Sequence, residues 1–202
     1  MMRNLDVKNL EVENPPVTPA TRTRVEPDPV DANLEVWARE LPGLDLETEG
    51  IVERIYKLER HIDVTMRETL EAFDLSYGEY KLVMHLRYGG PPYMGKPGKL
   101  AKWLGLSTGA MTNRLDNMER RGLIRRLDDP DDRRGVIIEL TDEGKDLWDR
   151  AVGAQAEKEA IIASAIDEHE RRQLNDLLRR LMNAFAEHHG PLKRGSEPQS
   201  SE

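Results

Sequence analysis

From Leu106 to Thr141 the chain reads LSTGAMTNRLDNMERRGLIRRLDDPDDRRGVIIELT, and no other stretch restricts the fold as tightly. Ser107 is placed to act as an N-cap, and Met111, Leu115 and Met118 recur at i, i+4 and i+7. That spacing predicts a helix with one apolar stripe facing a core. Gly122 offers the left-handed residue that ends such a helix, with Leu123 folding back on the last turn. The run Ile124-Arg125-Arg126-Leu127 is short and β-compatible, while Val136, Ile138 and Leu140 alternate with Ile137, Glu139 and Thr141 as a half-buried strand does. Between them Asp128 to Gly135 is dense in turn formers and reads as a hairpin loop carrying Arg133 and Arg134 on its descending edge. Just upstream, Gly98 to Leu104 makes a short helix closed by Gly105. The order is helix, tight turn, helix and two-stranded wing, the outline of a winged helix-turn-helix.

Successive helical residues turn by about 100°, so with Met111, Leu115 and Met118 inward, Gly109, Thr112, Asn113 and Asp116 fall on the outward half. Thr108, Gly109 and Ala110 are small, which lets the start of the helix approach a phosphate through free backbone N–H groups, so Ser107, Thr108 and Gly109 are expected at the DNA. Thr112 and Asn113 carry the donors and acceptors that read base edges, Asn113 matching adenine and Thr112 an edge or a thymine methyl. Any surface helix has a polar outward face, so these residues gain meaning only from the wing beside them. There Arg134 suits the narrow minor groove, Arg133 a phosphate, and Asp132 is placed to brace Arg134 through its carboxylate. Arg114 falls on the shoulder of the buried stripe. Two roles fit an inward-leaning guanidinium: a structural pair with a carboxylate, or contact with an anionic ligand.

The segment Asp129-Pro130, Asp132 and Arg134, the strand ending Leu140-Thr141 and then Asp142-Glu143-Gly144 together resemble the multiple-antibiotic-resistance regulator (MarR) family of bacterial transcription factors. The resemblance runs in element order over about residues 51 to 189, and LSTGAMTNRLDNMERRGL is similar to the urate-responsive branch, which has an extra N-terminal helix with a tryptophan. It implies a homodimer on a pseudo-palindromic double-stranded operator, released by a small aromatic or anionic effector. It further implies an effector site at Trp37, Lys81, Arg114 and Arg126. Where that branch has an aspartate in a Gly-Glu-aromatic-Asp motif, this chain reads Gly78-Glu79-Tyr80-Lys81, so an acidic or phenolic ligand fits better than urate.

The net charge of −8 argues at first against a nucleic-acid partner, but it is unevenly spread. Residues 96–134 carry a net +4, whereas 1–50 carry −6, 51–95 carry −1 and 135–202 carry −5. A basic head on an acidic body is what a duplex-facing surface produces. Absence of cysteine excludes disulfides, zinc–thiolate sites and thiol nucleophiles. The five histidines are scattered or adjacent on one helix and form no metal set. No phosphate loop, H-E-x-x-H or Gly-x-Ser-x-Gly motif supports an enzyme, and no cofactor is expected. No apolar run has membrane-spanning length and the N-terminus has no signal-like segment, so a cytoplasmic protein with no membrane partner is expected.

The rest of the chain reads as support. Residues 1–30 are proline-rich and polar and are expected to be disordered, as are 190–202. Residues 31–189 form one domain, mainly α with a small β wing: 76–141 make the winged head, and 31–75 with 142–189 the helical dimerisation region. Asn33 to Leu41 makes a short amphipathic helix whose Trp37 either covers core or lids a ligand. Gly50 to Phe73 keeps helical apolar spacing for six turns. Ser76 to Tyr88 opens on a capping box, and Thr141 caps a helix to about Ala165, followed by another from Asp167 to about His188. Their apolar stripes call for pairing across a two-fold axis. A winged-helix module that binds protein, without a specific DNA site, is the other class that this pattern fits.

Overall fold

The computed structural model describes residues 26–191, so of the tails expected at 1–30 and 190–202 all but residues 26–30 and 190–191 lie outside the described residues. Helix α1 spans Pro29–Glu40, earlier than its apolar spacing predicts. Pro29 belongs to the first turn, where a missing N–H costs nothing and the fixed φ is already helical. Asp28 is the N-cap, accepting from the Val30 N–H at 2.8 Å, and Asp31 reciprocates onto the Asp28 N–H at 2.7 Å. Val30, within the segment expected to be disordered, is 1% exposed. Arg54 of α2 (Leu46–Ala72) then reaches Asp28 Oδ2 at 2.9 Å and Asp31 Oδ1 at 2.6 Å, tying α1 to α2.

Helix α2 also starts before Gly50, because the Asp45 side chain accepts from the Glu47 and Thr48 N–H groups, both at 3.2 Å. Deep in its C-terminal half, Thr69 Oγ1 donates to Gln155 Oε1 at 2.9 Å, and Gln155 Nε2 donates to Glu159 Oε1 at 2.9 Å and to Thr65 Oγ1 at 3.3 Å. This satisfied polar contact registers α2 against α6 (Asp142–Ala165), since a slip would leave buried groups unpaired. Helix α3 (Tyr77–Tyr88) opens on the expected capping box of Ser76 and Glu79.

The head follows: β1 (Met94–Gly95), α4 (Pro97–Leu104), α5 (Thr108–Arg120), β2 (Ile124–Asp129) and β3 (Asp132–Leu140). Its sheet has three strands, not two, in the order β1-β3-β2 and antiparallel throughout. Leu82, Val83, Leu86, Leu100, Met111, Leu115, Met118, Ile124 and Ile138, from α3 through the sheet, are fully buried in its core. The α5 stripe read from spacing therefore lies against α3, α4 and the sheet. The wing also differs from a long loop. Strand pairing continues to Asp129↔Asp132, so Pro130 and Asp131 alone make the turn, and the next pair is Asp128↔Val136. Arg133, Arg134 and Gly135 have no partners on β2 and form a bulge in β3.

Thr141 caps α6 as expected, its Oγ1 accepting from the Gly144 N–H at 3.0 Å. After α6 comes α7 (Glu168–His189), which contributes no buried residue. Leu174, Leu177, Leu178, Leu181, Met182 and Phe185 on α7 are exposed, as are Ile51, Ile55, Leu58 and Ile62 on α2 and Ile161 and Ile162 on α6. No helix among the described residues is long and apolar enough to cross a membrane.

Candidate nucleic-acid interface and ligand site

The start of α5 is held by Ser107, whose Oγ accepts from the Ala110 N–H at 3.2 Å, so this hydroxyl has a structural task. Thr108, Gly109, Thr112 and Asn113 are exposed on one face of the helix. The Thr112 hydroxyl donates to the Thr108 carbonyl at 2.9 Å, which leaves its oxygen to accept and its methyl to make apolar contact. Arg133 and Arg134 are exposed on the β3 bulge, and among the described residues neither forms an ion pair. Asp132 does not brace the Arg134 guanidinium as expected; its Oδ1 accepts from the Arg134 backbone N–H at 3.0 Å. The carboxylate thus shapes the turn and leaves the guanidinium unengaged.

Placement of α5 depends on Glu79, a residue whose sequence signal is capping alone. Glu79 is 4% exposed and accepts from the Ser76 N–H at 2.8 Å, Ser76 Oγ at 2.9 Å, Asn117 Nδ2 at 2.9 Å and Arg121 Nη1 at 3.1 Å. Burial pushes its carboxyl up, but the Ser76 hydrogen bonds, the Arg121 charge and the Asn117 amide outweigh that and hold it below the ordinary range. One buried carboxylate therefore joins the α3 N-terminus to the last turns of α5. The signal that could have found this is the i, i+4 pair Asn117 and Arg121, both able to donate inward.

The four residues expected at an effector site do not form one cluster within a single chain. Arg114 rests on the first turn of α3: a Cβ added at Gly78 would fall 2.3 Å from its guanidinium carbon. Burial lowers its pKa, opposed by the Glu79 charge acting through space, and among the described residues no carboxylate ion-pairs with it. It remains charged, as arginine does in proteins. Lys81 lies over the Tyr77 ring at 5.0 Å, one turn along the same helix. Tyr77 in turn lines an apolar groove of about 580 Å³ with Ile55, Leu58, Ile62, Met66 and Ile162.

Arg126 is engaged elsewhere, ion-paired with Asp116 and Glu119 of α5, while its neighbour Arg125 pairs with Glu139 across the sheet. Trp37 lines a separate groove with Asn33, Val36, Val52 and Tyr56. Val52 and Met66 are about 20 Å apart along α2 at 1.5 Å rise per residue, so Trp37 does not reach Lys81 or Arg114 in the same chain.

Comparison with known proteins agrees with this geometry. The MarR family model matches residues 75–136, from the α3 cap through the wing. The chain is 33% identical over 148 residues to the HTH-type transcriptional regulator PecS of Dickeya dadantii, covering 73% of this chain and 89% of that one. It is 30% identical over 90 residues to the multiple antibiotic resistance protein MarR of Escherichia coli, covering 45% and 60%. Among solved structures, YusO from Bacillus subtilis superposes with a TM-score of 0.62 at 23% identity, covering 70% of this chain and 99% of that one. A mutant of Staphylococcus aureus MepR bound to an oligodeoxyribonucleotide superposes at 0.55 with 22% identity, covering 67% and 97%. A winged head of this topology, matched by the family model and joined to identity over nearly the whole of PecS, places the chain in the MarR family.

Proposed function

We propose that the chain is a dimeric, DNA-binding transcriptional repressor that a small anionic or phenolic ligand releases from a palindromic operator. The observation that carries this reading is the exposed Thr108–Asn113 face of α5 standing beside two wing arginines that form no ion pair among the described residues, within the basic part of an otherwise acidic chain. Thr112 and Asn113 read base edges, Arg133 and Arg134 engage phosphate and minor groove, and the N–H groups at the start of α5 meet the backbone. Asp132 sets the Arg134 backbone, and Ser107 the first turn of α5.

Dimerisation is supported by α7, whose six large apolar side chains have no cover among the described residues, and by the exposed stripe of α2. Exposed apolar area of this extent marks an interface. A second copy burying it would set two reading helices against one face of a duplex. For the effector, the support is Arg114, a half-buried guanidinium with no ion-paired carboxylate among the described residues, close to Lys81 and an apolar groove. An aromatic acid would place its ring in the groove and its charge between these cations. Because Arg114 is on α5 and rests on α3, ligand binding there shifts the reading helix, which is the differential interaction that release requires. Trp37 joins this site only through the second copy of the chain, and Arg126 only by leaving Asp116 and Glu119.

The test is footprinting of the intergenic DNA flanking the gene, followed by a screen of hydroxylated benzoates for release. Protection of a pseudo-palindrome that one of these acids abolishes supports the reading. Absence of any protected site at low salt contradicts it and favours a winged-helix module that binds protein.

A further inference from the structure

Lys96 is the N-cap residue of α4, yet it makes no side-chain capping bond. A cation is locally unfavourable at this positive end of a helix, where serine, threonine, aspartate or asparagine ordinarily stands. Its ammonium crosses instead to the wing and ion-pairs with Asp129, the last residue of β2. The Asp129 side chain is 1% exposed and also accepts from the Asp131 N–H at 3.0 Å. On its other side the returning strand closes over it: a Cβ added at Gly135 would fall 2.8 Å from Asp129 Cβ and 3.0 Å from its Oδ2. Gly135 directly follows Arg134 and belongs to the same bulge as Arg133 and Arg134. Contacts therefore run without a break from the first helix of the helix-turn-helix, through Lys96 and Asp129, to the backbone that carries the wing arginines.

We propose that Lys96 and Asp129 form a clamp that sets the angle of the wing relative to the reading helix, so that a buried carboxylate strengthens binding to a polyanion. Both are positioning residues that act through Arg133 and Arg134, and the proposal rests on the DNA-binding reading above. A two-stranded hairpin is marginally ordered by its own contacts, and this one loses its pairing at the bulge that bears both arginines. Untethered, the tip would have to be ordered at the moment of binding, with the associated loss of conformational freedom. The clamp holds it in place beforehand. Simple electrostatics makes the opposite prediction, since removing a negative charge beside the phosphates relieves repulsion.

The experiment uses the full chain and a duplex selected by the wild type from a randomised pool, with affinities measured by fluorescence anisotropy at fixed salt. Asp129→Asn is expected to weaken binding about tenfold, as coupled neighbours do. Arg134→Ala is expected to cost much less in the Asp129→Asn and Lys96→Met backgrounds than in the wild type, and Lys96→Arg to retain affinity. Asp129→Asn binding as tightly as the wild type, or more tightly, overturns the clamp. An unchanged cost of Arg134→Ala in both backgrounds also overturns it, since a merely structural or directly phosphate-binding role is additive with the wing. If Asp129→Asn does not fold, the Lys96→Met cycle, at a half-exposed side chain, decides. A wild type that selects no duplex overturns the DNA-binding reading and the clamp with it, and is distinguished by failing before any variant is made.

Discussion

Gly144→Ala and Gly153→Ala are the same substitution on the same helix, and the structure gives them opposite signs. Gly144 stands in the first turn of α6, buried against the β2 entrance. A Cβ there would fall 2.1 Å from the Leu123 carbonyl oxygen and 2.9 Å from its carbon, below the 3.0 Å floor of real contacts. Both are backbone atoms and cannot swing aside. The same carbonyl accepts from the Thr141 N–H at 3.2 Å, so moving it disturbs the cap of α6 as well. Alanine gains at most about 1 kcal/mol over glycine in a helix. Overpacking costs about 1–3 kcal/mol and a loosened hydrogen bond about 1 kcal/mol. The net is a loss of about 1–3 kcal/mol, and at about 2–4 °C per kcal/mol for a chain of this size the Tm falls by about 2–12 °C. At Gly153 nothing lies within 4 Å of the added Cβ, so only the gain survives and the Tm rises by about 1–4 °C. Scanning calorimetry on both variants, at equal protein concentration, measures this. A Gly144→Ala protein as stable as the wild type would refute the packing of α6 onto the head.

Three further outcomes follow from the site. Asn113→Ala is expected to weaken binding at the preferred site by about 1–3 kcal/mol and to relax preference at one position, read by competition with singly substituted duplexes; uniform loss across sequences would assign Asn113 to the phosphates instead. Glu79→Gln is expected to cost about 1–3 kcal/mol at neutral pH by breaking the Ser76–Asn117–Arg121 network. Since the folded carboxyl lies below its unfolded value, its contribution is present above about pH 4.3 and lost as pH falls through the folded value. Denaturant melts should therefore show the wild type losing more stability than the variant on acidification, and equal pH slopes would contradict this assignment. Gly78→Ala meets only the movable end of Arg114, so it should change stability by less than about 1 kcal/mol while displacing the guanidinium. Calorimetric titration with hydroxylated benzoates should then show about tenfold weaker binding, and undiminished binding would remove Arg114 from the ligand site.

The head is legible in the sequence because its signals are periodic. Met111, Leu115 and Met118 share one helical face at any register, and all three are buried. Caps are legible for the same local reason at Ser76, Ser107 and Thr141, where a side chain answers an N–H three residues on. Strand β1 is not, because two residues carry no period and follow Gly89-Gly90-Pro91-Pro92, which reads as pure loop. Pro29 falls in the proline-rich stretch expected to be disordered, yet it begins a helix. The wing turn reads as longer than it is because Asp, Pro and Gly signal turns wherever they stand, whereas only Pro130 and Asp131 turn and Gly135 packs over Asp129. The ligand set is least legible. Which carboxylate an arginine finds depends on the crossing of elements, and Arg126 finds Asp116 and Glu119 while Arg114 finds none among the described residues.

The most direct measurement is the stoichiometry and footprint of the full chain on its preferred duplex, by sedimentation and protection mapping across a salt titration. Two copies per site are expected, with protected half-sites centred about 10 base pairs apart and affinity that falls steeply and linearly in log–log form with salt. A single copy protecting one asymmetric site, or binding indifferent to salt and sequence, would contradict dimeric DNA recognition.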